Sequence, residues 1–99
     1  MKVRFDLAAR DELDDIFAWI SKDNESAAYN MIARIKARVE LLATSGFSRM
    51  GRPGLDEGTH ELVEPPYIIV YEVFESRSEI VIWAIVHGAK PRKPGETNR

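Results

Sequence analysis

The chain contains no cysteine, which excludes disulfide staples and thiolate metal sites and points to the reducing cytoplasm as its setting. It lacks a long apolar run as well. The longest, Ile80 to Val86, falls far short of the roughly 20 residues a membrane-spanning helix needs. The opening stretch Met1-Lys2-Val3-Arg4-Phe5-Asp6 reaches charge too soon to be a secretory leader. Excess positive charge is also missing: 14 Lys and Arg against 16 Asp and Glu leave a net −2 at pH 7. A general nucleic-acid binder draws its affinity from clustered cations and released counterions. This balance therefore argues against sequence-specific nucleic-acid binding by the chain alone.

What is present suits one small domain. Ninety-nine residues with 44% apolar and 30% charged content support a single core without staples. The charge is unevenly placed. Asp6, Asp11, Glu12, Asp14 and Asp15 crowd the early chain, while Lys90, Arg92, Lys93 and Arg99 lie at the end.

Val3 and Phe5 alternate with polar neighbours, predicting a short first strand. Asp6 offers an N-cap for a helix running to about Lys22, whose apolar stripe is Leu13, Ile16, Phe17 and Ile20. Asn24 can cap a second helix carrying Ala28, Met31, Ile32, Ile35, Val39 and Leu42, with Gly46 as its stop. Two such stripes must fold together as an antiparallel hairpin. Phe47 to Gly58 reads as loop. Three strand-like runs follow: His60 to Val63, Tyr67 to Phe74, and Ile80 to Val86. The last two are apolar on both faces, so both sides must be at least partly covered, as in central strands. The expected fold class is α+β, in the order β-α-α-β-β-β. An N-terminal strand and an α-helical hairpin pack on a twisted, mostly antiparallel sheet. The domain spans 1–90, and 91–99 forms a basic, flexible C-terminal tail.

Several ordered pieces carry a resemblance. They are Asp14-x-Ile16, Asn24 with Ala27-Ala28, Gly51-Arg52-Pro53-Gly54 and Gly58-Thr59-His60-Glu61-Leu62-Val63. Pro66-Tyr67-Ile68-Ile69-Val70-Tyr71 and His87-Gly88-Ala89-Lys90 complete the set. In this order and spacing, Val3 to about Lys90 resembles the RelE/ParE toxins of type II toxin–antitoxin systems, in particular the ParE-like branch. The resemblance implies a cognate antitoxin as partner, a ParD-like DNA-binding dimer whose extended C-terminal segment wraps the toxin. It implies DNA gyrase as the target, inhibited by binding. The alternative is the ribonuclease branch, which cleaves messenger RNA on the ribosome.

RNA cleavage needs a base, an acid and cations near the developing phosphorane charge. The nuclease relatives carry an Arg where this chain has Ile68, and a Tyr after the histidine where this chain has Gly88. No catalytic residue is therefore assigned, with His87 as the candidate under the alternative. His60, where relatives often carry Arg, is expected at the surface or rim. The two histidines lie far apart in sequence without ligand spacing, so no metal and no cofactor are expected. Arg52 and Glu61 are expected to pair and brace the loop. Trp83, on a central strand, is expected in the core or half-covered, with core preferred. Trp19, at the flank of the first helix, and Phe17 are expected to contact the antitoxin, since aromatic anchors dominate interfaces. Pro91 and Pro94 keep Lys90, Arg92 and Lys93 from forming a helix, and the resemblance to ParE-like toxins implies that these three contact the target.

Overall fold

Asp6 and Asn24 start the two helices. In the computed structural model, which describes residues 1–44 and 46–96, the Asp6 carboxylate accepts the Ala8 N–H at 3.3 Å and the Asn24 side chain accepts the Ala27 N–H at 3.0 Å. Each satisfies one of the donors that a helix leaves open at its N-terminus. Helix α1 runs Leu7–Ser21 and α2 runs Glu25–Ala43. Gly46 takes φ +88 just beyond α2, a left-handed turn that glycine enters without steric cost.

The strands are β1 (Lys2–Phe5), β2 (Arg52–Pro53), β3 (Thr59–Glu64), β4 (Tyr67–Phe74) and β5 (Glu79–His87). They form one sheet in the order β1-β5-β4-β3-β2. Among the described residues only the β1–β5 pair is parallel. The β-α-α-β-β-β layout read from the sequence is present, with β4 and β5 inside the sheet. The stretch expected as loop from Phe47 to Gly58 adds the two-residue β2 on the outer side of β3. Gly51 permits that approach, since a Cβ there would lie 2.6 Å from the Glu61 carbonyl oxygen.

The helical hairpin covers one face. Ile16 of α1 and Ile35, Val39 and Leu42 of α2 meet Ile69, Tyr71, Ile80, Ile82 and Ile85 in the main core. Burial of each such side chain stabilises by about 1.5–3 kcal/mol. Tyr71 is fully buried, and its hydroxyl accepts the Gly51 N–H at 2.9 Å, tying the loop to the core. Phe17 departs from the stripe expected of it: its ring packs edge-on against Tyr29 at 4.9 Å, outside the main core.

The opposite face carries a smaller cluster of Ile68, Val70 and Ala84, with Trp83 and Val86 against it. Trp83 is half-buried rather than core. The β4–β5 register slips between Val70, paired with Ala84, and Tyr71, paired with Ile82. That slip leaves Trp83 as the extra residue of a bulge. Its indole N–H donates to the Glu72 carboxylate at 3.0 Å. Among the described residues, no helix is long and apolar enough to cross a membrane.

Candidate functional site

Strand alternation decides where Glu61 goes. Its neighbour Leu62 faces the helices, so Glu61 faces the other side, where it lines up with Val70 of β4 and, beyond it, Ala84 of β5. Glu61 is only 3% exposed. An unpaired carboxylate buried there would cost several kcal/mol, on the order of the ~3–5 measured when one partner of a buried pair is removed. Two arginines meet it. Arg52, opposite it in the β2–β3 register, donates from Nε and Nη2 to Oε1 at 3.2 and 3.1 Å. Arg92 donates from Nη1 to Oε2 at 2.8 Å and from Nη2 to Oε1 at 3.2 Å. Burial pushes the Glu61 carboxyl up, but the hydrogen bonds from Arg92 and Arg52 outweigh it and hold the group below the usual carboxylate range.

The Arg52–Glu61 pair expected from sequence is therefore present, while the second arginine was not anticipated. Arg92 comes from the segment expected as a flexible tail. That segment meets the sheet at Arg92, through Glu61 of β3, and the loop before β3 at Gly95, and the residues leading into it are tied to the sheet edge. The Gly88 N–H donates to the Pro66 carbonyl at 2.7 Å, Lys90 N–H to the His87 carbonyl at 3.0 Å, and Gly95 N–H to the Asp56 carboxylate at 2.5 Å. Residues 90–93 line, with Val70, Trp83, Ala84, Val86 and Leu55, a partly open pocket of about 210 Å³. The segment thus lies on the side of the second apolar face of β4 and β5. Thr97, Asn98 and Arg99, the end of the expected tail, lie outside the described residues. Lys90 and Lys93 are exposed, and among the described residues neither forms an ion pair. Of the three cations expected to meet the target, Arg92 is thus engaged internally, while Lys90 and Lys93 are exposed, Lys90 near the Glu12 carboxylate.

Trp19 is 70% exposed, with the Lys22 ammonium 5.2 Å from its ring centroid. It lines an open groove of about 700 Å³ together with Ile16, Tyr67, Ile85, His87 and Lys90. The groove exists because β1 stops at Phe5, opposite Ile82, and leaves the second half of β5 without a neighbouring strand on that side. The Ile85 N–H is taken instead by the Glu12 carboxylate at 2.9 Å. Burial raises the Glu12 pKa, offset in part by that hydrogen bond and by Lys90. Phe17 lines a different depression of about 480 Å³, with Phe5, Leu13, Ile32 and Lys36. The structure does not bring Trp19 and Phe17 together. Two positions apart on a helix, they point about 200° from one another.

His87 is exposed at the end of β5, where its Nδ1 accepts the Ala89 N–H at 3.1 Å and its ring meets Tyr67 edge-on at 5.5 Å. His60 is half-buried and stacks on Tyr71 at 5.4 Å. Burial and the nearby Arg49 lower its pKa against the opposing pull of Glu72. In register, His60 pairs with Tyr71 and His87 with the row of Tyr67. Four residues of extended strand separate those rows, roughly 13 Å. Among the described residues, no group of three His, Asp or Glu side chains is placed to hold a metal ion.

A strand, a helical hairpin and a mixed sheet of this order make the α+β fold of the small toxins of toxin–antitoxin systems. A chain of the chromosomal ParDE system of P. aeruginosa superposes with TM-score 0.75 over 88% of this chain and 95% of that one, at 23% identity. A chain of the RelBE2 toxin–antitoxin complex of Mycobacterium tuberculosis gives 0.64 over 90% and 92%, at 22% identity. The protein named "Putative toxin Y4kP" of Sinorhizobium fredii is 40% identical over 88 residues, 87% of this chain and 86% of that protein. The family described as the ParE toxin of type II toxin–antitoxin systems, parDE, matches residues 3–91. The chain belongs to that family, and is a toxin of the RelE/ParE superfamily.

Proposed function

We propose that the chain arrests growth in the cytoplasm by binding DNA gyrase, without cutting a nucleic acid, and that a cognate ParD-like antitoxin neutralises it. The gyrase target comes from the ParE-like resemblance. The observation that carries the non-catalytic reading is that Ile68 and Gly88 stand where the nuclease relatives carry Arg and Tyr, with the two histidines far apart. General acid–base cleavage needs both groups within hydrogen-bond reach of one phosphodiester. Here His60 and His87 stand on separate rows of the sheet, so the two cannot serve one phosphodiester together.

The antitoxin reading rests on two surfaces and on the company the relatives keep. The similar structures are a ParDE system and a RelBE2 toxin–antitoxin complex. The uncovered side of β5 beside Trp19 suits an added strand, and the depression beside Phe17 suits an apolar helix face. A segment touching both must wrap around α1, because the two aromatics face opposite flanks. The test is a supercoiling assay with purified toxin and gyrase. Inhibition relieved by stoichiometric antitoxin is expected. Undiminished supercoiling at a large molar excess of toxin contradicts the reading.

A further inference from the structure

We infer that Glu61 is a positioning residue for the C-terminal arm: by holding Arg92 across the helix-free face, it fixes residues 88–96 on the sheet and presents Lys90 and Lys93 as an ordered pair to gyrase. The inference rests on the proposed function for its target and on the geometry for everything else.

Glu61 is built as a socket. Its carboxylate is buried at 3% exposure and is already engaged from the sheet side by Arg52, whose strand register places it directly opposite. Arg52 thus orients the acceptor from the sheet side, independently of the arm. Arg92 completes the pair with 18% of its side chain exposed, against 57% for Arg52. Arg92 is thus the fastening, and its guanidinium is too committed to serve as a target contact. The arm is also pinned on both sides of Arg92, at Gly88 by the Pro66 carbonyl and at Gly95 by Asp56. Between the pins lie the two lysines with no ion pair among the described residues. An arm ordered in advance avoids the conformational cost that a free arm incurs when it binds. A buried ion pair is a poor means of gaining stability compared with apolar side chains of the same volume, and fixing one geometry is a better account of its presence here.

The test compares the full chain with Glu61→Gln, Arg92→Ala and Arg92→Lys, each in a Trp19→Phe background so that Trp83 is the sole indole. Two quantities are read: acrylamide quenching of Trp83, which lies under the arm, and the toxin concentration that half-inhibits supercoiling. Circular dichroism confirms that each variant keeps its sheet. Positioning predicts that Glu61→Gln and Arg92→Ala increase quenching and weaken inhibition about tenfold, which corresponds to 1.4 kcal/mol. Arg92→Lys should recover part of both. A purely electrostatic arm predicts the reverse for Glu61→Gln, since removing a carboxylate makes the region more positive and should strengthen inhibition. That outcome overturns the inference, as does unchanged quenching in Arg92→Ala, or increased quenching with unchanged inhibition. If the parent chain itself leaves gyrase untouched, the functional reading and the target named here both fall. The quenching data then still decide whether Glu61 orders the arm.

Discussion

A buried and a half-buried glutamate make opposite demands on the protein. Glu61 is charged and paired, with its carboxyl held below the usual range despite burial, while burial pushes the Glu12 carboxyl above it. A lowered folded-state pKa contributes stability that is present above the unfolded value, about 4.3 for Glu, and is lost as pH falls through the folded value. Removing Arg92 should therefore matter at neutral pH and progressively less on acidification. We expect Arg92→Ala to cost about 2 kcal/mol in denaturant unfolding at pH 7, as for a hydrogen bond to a buried charge. Arg52→Ala, at an exposed position, should cost at most about 1 kcal/mol. Equal costs for the two would show that Arg92 is not the principal fastening. For Glu12 the sign reverses: a raised folded-state pKa favours the folded protein below the unfolded value, and that contribution is lost as pH rises. Glu12→Gln keeps an acceptor for the Ile85 N–H without the buried charge. It should raise the melting temperature at pH 7, with the gain vanishing below about pH 4. A lower melting temperature at pH 7 would mean that the attraction of Lys90 outweighs burial.

At the scale of elements, the C-terminal segment behaves as a third layer. The runs Tyr67–Phe74 and Glu79–His87 are too apolar for a sheet with one wet face, and Val70 and Ala84 lie on the side away from the helices. Ending the chain at Gly88 removes both Arg92 and this cover. It should destabilise the domain by more than Arg92→Ala alone and shift Trp83 emission to the red in a Trp19→Phe background. Unshifted emission would place Trp83 outside the arm's shelter. The helices were legible in sequence because their signals are local: Asp6 and Asn24 cap, and Ala28, Met31, Ile35, Val39 and Leu42 repeat on one face. The apolar character of both faces of β4 and β5 also announced that something must cover them. What covers the second face was not legible. It depends on strand register, which sets Glu61 in line with Val70, and on a contact spanning 31 residues to Arg92. A glutamate alternating onto an otherwise apolar face was the available signal, and it called for a cation. The split between Trp19 and Phe17 was readable from helical spacing alone, but the groove beside Trp19 depends on where β1 stops.

For the whole molecule, recognition follows from the two flanks of α1. If an antitoxin wraps this helix, Trp19→Ala and Phe17→Ala should each weaken its binding by about 2 kcal/mol, as for an aromatic anchor. The double variant should lose the sum within about 0.5 kcal/mol, because the two side chains point to opposite flanks of α1 and line separate depressions. Calorimetric titration of antitoxin into each variant measures this, and an unchanged affinity in either removes that flank from the interface. The distinction that matters most is between harm by binding and harm by cutting. Primer extension on transcripts from cells expressing the wild-type chain addresses it directly. The account predicts message ends identical to those of uninduced cells, both for the wild type and for His87→Ala. Discrete new ends that appear with the wild type and vanish with His87→Ala would contradict it.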